Sequence, residues 1–258
     1  MKRFAILLAS VLLVLVAGCT AKQSSQSAPA ASPSTEAAAT PAATTSVAFT
    51  DISGYDGAQA ITDLATLGVL DSTSGTFKPN DPITRADFVR WLVKAQNAII
   101  KEPEYHIHLA QGTKATFVDV PSTNPDFGSI QGLANAGYVI GVDPTHFAPD
   151  KSLTREQMIF IKACVDERSD IKTTGGAVDV VRGKYSDYSK IVPMYVGAIY
   201  EDESAMTTGT FARVYGSTKT FDPQQPVTRG EAAVALSAMR GEWPRTAADA
   251  LGRTPAPQ

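Results

Sequence analysis

One pattern occurs three times in this chain and leaves its fold little freedom. An aromatic-x-Asp opening stands at Phe49, Phe117 and Tyr185, and a Phe-x-Pro follows at Phe77, Phe147 and Phe221. Eight positions beyond each of those phenylalanines comes the arginine of a Thr-Arg pair: Arg85, Arg155 and Arg229, spaced 70 and 74 residues apart. Repeats at a fixed period mark units that cannot bury their apolar faces alone and must stack on one another.

Each unit reads as helix, loop, helix. In the first copy a helix over about 57–67 closes on "LATLG", and in the second "LANAG" closes the matching helix, so Gly68 and Gly137 stand where a left-handed C-cap glycine belongs. Turn residues fill the loop, as in "DSTSGTFKPNDP". The second helix starts at Thr84, Thr154 or Thr228, each a candidate N-cap. Asp87, Gln157 and Glu231, three residues on, are expected to complete capping boxes. Phe88, Trp91, Leu92, Ala95 and Ile99 then share one helical face, as do Met158, Ile161 and Val165. The expected fold is mainly α: three helix-loop-helix repeats with the three second helices at the centre as a bundle and a groove between each pair of units.

The arginines pose an electrostatic question. A cation in the first turn of a helix is disfavoured by roughly 0.3–1 kcal/mol, yet all three copies place one there. A helix N-terminus with free N–H groups attracts anions, and a guanidinium adds a planar fork matched to a carboxylate. The pair makes an anion seat. The simpler alternative is a solvated arginine paired with a nearby acid. Asp51, Asp119 and Asp187 read first as holders of loop N–H groups and second as ligand contacts. The Phe-x-Pro aromatics read as core plugs.

The repeat motifs, F-x-D, L-x-x-x-G, F-x-P and a T-R-A-E-like sequence, resemble the S-layer homology (SLH) family over about residues 47–243. That resemblance implies a pseudo-threefold helical prism that attaches non-covalently to the bacterial cell wall. Its grooves would bind peptidoglycan or a secondary wall polysaccharide, with Arg85, Arg155 and Arg229 as the principal ligand-contacting residues. Two departures stand out: Glu156 beside Arg155, placed to mask it or repel an anion, and a third copy with a long insertion and Gly230 in its helix start. These rank the Arg85 groove first.

Lys2 and Arg3 followed by "FAILLASVLLVLVA" form an export leader, and "VAGC" resembles the lipobox of bacterial lipoproteins, which implies acylation at Cys19. The competing reading, an uncleaved membrane anchor over Phe4–Ala21, is at the short limit of a spanning helix. The expected order is a signal peptide (1–18), lipidated Cys19 with an Ala/Ser/Thr/Pro linker (19–48), repeats at 49–101, 117–167 and 185–243, and a frayed tail (244–258). Residues 20–48 as a coil span about 30 Å and stretched roughly 95 Å, enough to hold a folded body off a membrane.

The net charge of −3 argues against a nucleic-acid backbone binder. Cys164, in an apolar helical run, reads as a small buried hydrophobe. His106 and His108 form H-x-H without the further ligands a metal needs, so no metal, cofactor or catalytic residue is expected. The resulting expectation is a monomeric, non-catalytic envelope lipoprotein. It would be anchored in the outer membrane facing the periplasm, or on the outer face of the plasma membrane, and would join that membrane to the wall. Two other readings stand beside it: an accessory lipoprotein whose repeats bind another protein, and a wall-active enzyme.

Overall fold

The computed structural model describes residues 47–205 and 208–253. The signal peptide, Cys19 and the linker up to residue 46 lie outside them. The first repeat shows the local rules. Strand β1 (Ala48–Phe49) pairs in parallel with β2 (Ser74–Gly75), and helix α1 (Ala58–Thr66) ends at Gly68, whose φ is +71°. There Gly68 N–H donates to the Ala65 carbonyl and Val69 N–H to Leu64, the paired bonds of a Schellman motif. Helix α2 (Arg85–Ile99) follows. In the second repeat α3 (Phe127–Asn135) ends the same way at Gly137, φ +76°, before α4 (Arg155–Glu167). The β1–β2 contact survives in the other copies as one bond each, Val118 N–H to Thr145 and Ser186 N–H to Lys219.

What joins the repeats is a closed ring of backbone hydrogen bonds just ahead of the second helices. Ile83 N–H donates to the Val227 carbonyl, Val227 to Leu153, and Leu153 back to Ile83. All three side chains are fully buried. The ring continues into the helix starts: Arg85 and Ala86 donate to Lys151 and Pro149, Arg155 and Glu156 to Gln225 and Pro223, and, in helix α8 (Arg229–Leu236), Arg229 and Gly230 to Asp81 and Pro79. Each second helix therefore spends its first free N–H groups on carbonyls of another repeat. Beyond the ring the helices have different neighbours. Helix α2 packs on α8, whereas α4 packs most closely on α6 (Val196–Ser204). The predicted apolar stripe of α2 is buried throughout, each such large side chain stabilising the fold by about 1.5–3 kcal/mol.

The third copy carries elements with no counterpart in the first two. Helix α5 (Gly175–Lys184) precedes it, and the insertion forms α7 (Thr210–Tyr215), whose first N–H groups bond the buried Asp202 carboxylate. The expected frayed tail is corrected. After α8 the chain makes a hairpin, β3 (Ala238–Arg240) with β4 (Pro244–Thr246), then helix α9 (Ala247–Ala250), which packs on α1 and α2. Arg245 pairs with Glu102 and Arg253 with Asp63. Residues 254–258 are outside the description.

Candidate functional site: three arginine junctions

Each Thr-Arg arginine reaches across a repeat boundary to the Phe-x-Pro of a different copy. Arg85 Nε donates to the Phe147 carbonyl at 2.8 Å and Nη2 to Ile140 at 3.0 Å, with the guanidinium 4.5 Å from the Phe147 ring centre. Arg155 Nη1 donates to the Phe221 carbonyl at 2.7 Å, and its guanidinium lies 3.8 Å from the Tyr215 ring. Arg229 Nε donates to the Phe77 carbonyl at 2.9 Å between the rings of Phe77 and Trp91, at 5.0 and 4.8 Å. Copy one thus holds copy two, two holds three, and three holds one.

The carbonyls are aimed by a second device. Asp51 accepts from Phe77 and Lys78 N–H, Asp119 from Phe147 and Ala148, and Asp187 from Phe221 and Asp222, at 2.7–2.9 Å. The second residue in each pair has positive φ: Lys78 at 60°, Ala148 at 60° and Asp222 at 52°. A side-chain-bearing residue resists that conformation by roughly 1–2 kcal/mol, and two carboxylate bonds hold it there. The three Phe-x-Pro phenylalanines are buried. Asp51 is held below the usual carboxylate range, first by the Phe77 N–H.

The anion seat expected at the helix tips is corrected in one respect: the first two N–H groups of each second helix already bond to another repeat. Thr84 and Thr228 cap as expected. Gln157 and Glu231 bond back to Thr154 and Thr228 N–H. Asp87 does not complete a box; its carboxylate turns to Arg90, which also binds Asp71 and Asp126. What an incoming anion could use is the guanidinium fork alone, and the three forks differ.

Arg85, ranked first on sequence, is the most closed, with 2% of its surface exposed. Burial without a carboxylate partner pulls its pKa down to about 10. Arg155 is 11% exposed at the side chain, has Asp222 at 3.6 Å, and keeps a buried Nε without a hydrogen bond. Arg229 is half-buried, and among the described residues no carboxylate pairs with it. Arg85, expected first, is thus the least exposed of the three.

Glu156 does not mask Arg155. Its carboxylate accepts from Val192 N–H at 3.0 Å and Gln224 Nε2 at 2.6 Å, and burial pushes its pKa up. It lines a groove of about 670 Å³ together with Gln157, Gln224, Tyr195 and the Ile140–Gly141 loop that holds Arg85. An open cleft thus lies beside the α4 start, with Arg85 bound into one wall. Gly230 is explained as well: a Cβ there would lie 2.2 Å from the Tyr55 hydroxyl.

Sequence reasoning missed Tyr215, Tyr55 and Tyr195. Tyr215 sits in "TFARVY", an insertion that the repeat alignment sets aside, and no spacing ties it to Arg155. Cys164 is buried with its thiol pushed up to about 11, hence unreactive. His106 Nε2 is committed to the Ile100 carbonyl. Among the described residues no group of three or more His, Cys, Asp or Glu could hold a metal, and no helix is long and apolar enough to cross a membrane.

The fold and its junctions define a class: a helical module of three repeats closed into a ring, with one arginine per boundary. Three regions of it match S-layer homology repeats. The S-layer homology domain model matches residues 48–89, 116–159 and 214–233. The third match begins inside α7 and covers only the Phe-x-Pro and α8 start, because the insertion and altered first helix displace the rest. The chain is also 28% identical over 191 residues to the surface-layer 125 kDa protein of Lysinibacillus sphaericus. That match takes in 73% of this chain but only 14% of the relative's length. Together these similarities support a role in cell-surface anchoring.

Proposed function

We propose that this chain is a non-catalytic envelope lipoprotein, acylated at Cys19, that joins a membrane to the cell wall. The repeats bind peptidoglycan or an associated acidic wall polysaccharide in the grooves at the arginine junctions. The observation that carries this reading is Arg229: a guanidinium fixed by one carbonyl and two aromatic faces, half-open to solvent, with no carboxylate paired to it among the described residues. A fixed fork with no carboxylate in direct contact is pre-organised for a planar acid. Arg155 ranks second and Arg85 last, since an anion reaches Arg85 only if the Ile140–Phe147 loop opens.

The test is sedimentation of the full chain with isolated wall sacculi, with release by soluble wall glycan, for Arg229→Ala, Arg155→Ala and Arg85→Ala. Thermal unfolding is measured on each variant. Arg229→Ala should lose the most binding while costing about 1 kcal/mol of stability, the lost charge-assisted contact of about 1.5–3 kcal/mol corresponding to roughly tenfold or more. Equal sedimentation of all variants with wild type would remove the arginines from the binding account. Wild-type protein that stays in the supernatant would remove the wall. Mass analysis of the mature N-terminus checks acylation, and Cys19→Ser should abolish it.

A further inference from the structure

A cleft of about 450 Å³ lies at the far end of α4 from the arginine ring, between the 104–111 segment, the end of α3 and the residue following α4. Helix α4 has 13 residues, so this cleft is about 20 Å from the Arg155 junction. The segment is strapped against α3. Ala110 N–H donates to the Gly128 carbonyl, and a Cβ on Gly132 would lie 2.5 Å from the His108 carbonyl. The wall is therefore packed, and its opening is not a slack loop.

Three observations converge there. Tyr105 and Tyr138 give the cleft aromatic sides, with Asn135 and Gln111 as amide donors and acceptors. Arg168 places its guanidinium 4.0 Å from the Tyr105 ring centre, and among the described residues no carboxylate pairs with it. Arg168 also caps α4 with φ 50° and ψ 43°, a left-handed position that glycine occupies after α1 and α3. A residue held against its backbone preference at a cleft is a pointer to function.

From this geometry we infer a second saccharide site. A pyranose ring lies against tyrosine, its hydroxyl or acetamido groups meet Asn135 and Gln111, and an acidic substituent meets the Arg168 fork. Pockets of this size lined by aromatics with a few fixed polar groups suit one or two sugar units. Glu104, also on the lining, disfavours a ligand of high negative charge and selects one with a single acid. The identification of wall glycan as the source rests on the function proposed above; the cleft chemistry does not.

The experiment is titration of the full chain with the disaccharide N-acetylglucosaminyl-N-acetylmuramic acid, which carries one free carboxylate, followed by amide chemical shifts. Chitobiose, which has none, is the control. Shifts should cluster at Tyr105, Asn135, Tyr138 and Arg168, and chitobiose should bind at least tenfold more weakly. Arg168→Gly removes the fork while suiting the left-handed backbone, so it should unfold at the same temperature or higher and lose tenfold or more in affinity. Equal binding of chitobiose, shifts confined elsewhere, or unchanged affinity in Arg168→Gly would overturn the site. Disaccharide binding here by a protein that ignores sacculi would sink the wall-tether reading and leave this one standing. Sacculus binding without shifts at the cleft would do the reverse.

Discussion

Arg85 and Arg229 occupy the same position in the repeat and the same bond geometry, one guanidinium nitrogen on a Phe-x-Pro carbonyl, yet they stand in opposite environments. Arg85 has two carbonyls, the Phe147 ring and almost no solvent. Arg229 has one carbonyl and two rings and is only half-buried. The difference is made by what surrounds them. The Ile140 carbonyl takes a second bond from Arg85, while at the Arg229 junction Tyr55 packs on Gly230 and Arg229 stays partly exposed. One repeated residue can thus serve as an internal staple at one boundary and remain available to a ligand at another. Burial of a cation costs several kcal/mol, so the closed arrangement is maintained by its carbonyl and aromatic partners.

This contrast can be broken most directly by stability. Arg85→Ala strands the Phe147 and Ile140 carbonyls in the interior and should destabilise the fold by about 2–4 kcal/mol, whereas Arg229→Ala should cost about 1 kcal/mol. Urea unfolding of both variants checks it, and equal costs would erase the distinction. Next in size is Gly230→Ala, whose Cβ meets Tyr55 at the Arg229 boundary. Overpacking there should cost about 1–3 kcal/mol, and Tyr55→Ala in the same chain should recover part of it. A smaller effect of opposite sign is expected at the Arg85 boundary. Ala148→Gly relieves a positive-φ residue and should raise stability by up to about 1 kcal/mol, read as a higher unfolding midpoint.

The smallest expected effects are in pH. Asp51 is held below its ordinary range by the Phe77 N–H, with Arg229 adding to the same direction. Its contribution to the Arg229 boundary is complete above the unfolded value of about 4 and is lost as pH falls through the lower folded value. Asp51→Asn should flatten the acid limb of the stability profile. Glu156 runs the other way: burial raises its pKa, so on acidification it loses its negative charge at a higher pH than an exposed glutamate would, and the groove beside the Ile140 loop becomes less negative. Binding of an acidic glycan should strengthen modestly as pH falls through that folded value in wild type and lack this step in Glu156→Gln. A level wild-type profile would show that this groove takes no anion.

Much of the architecture was legible in the residues. The threefold spacing, the glycine stops at Gly68 and Gly137, the threonine caps and the stripe of α2 follow from local rules of helix ends and periodicity. Two elements were not legible. Helix α7 lies in an insertion whose apolar residues fit no repeat, and the hairpin that leads to α9 begins inside "EAAVALSAM", where the alanine run suggests a longer helix than the chain makes. In both cases tertiary contacts with α8, α1 and α2 override local preference.

The sequence by itself determined that there are three units, that each has a capped second helix, and that an arginine stands at the same register in all of them. These are short-range properties, set by residues within a few turns of one another. The sequence also placed Asp51, Asp119 and Asp187 as holders of loop N–H groups, as they are. Only the tertiary structure decided that the first helix-tip N–H groups are spent on another repeat, and that Arg229 is more exposed than Arg85. Those outcomes depend on contacts between residues 55 to 152 positions apart, and exposure is a property of the packed surface that no register within one repeat can specify.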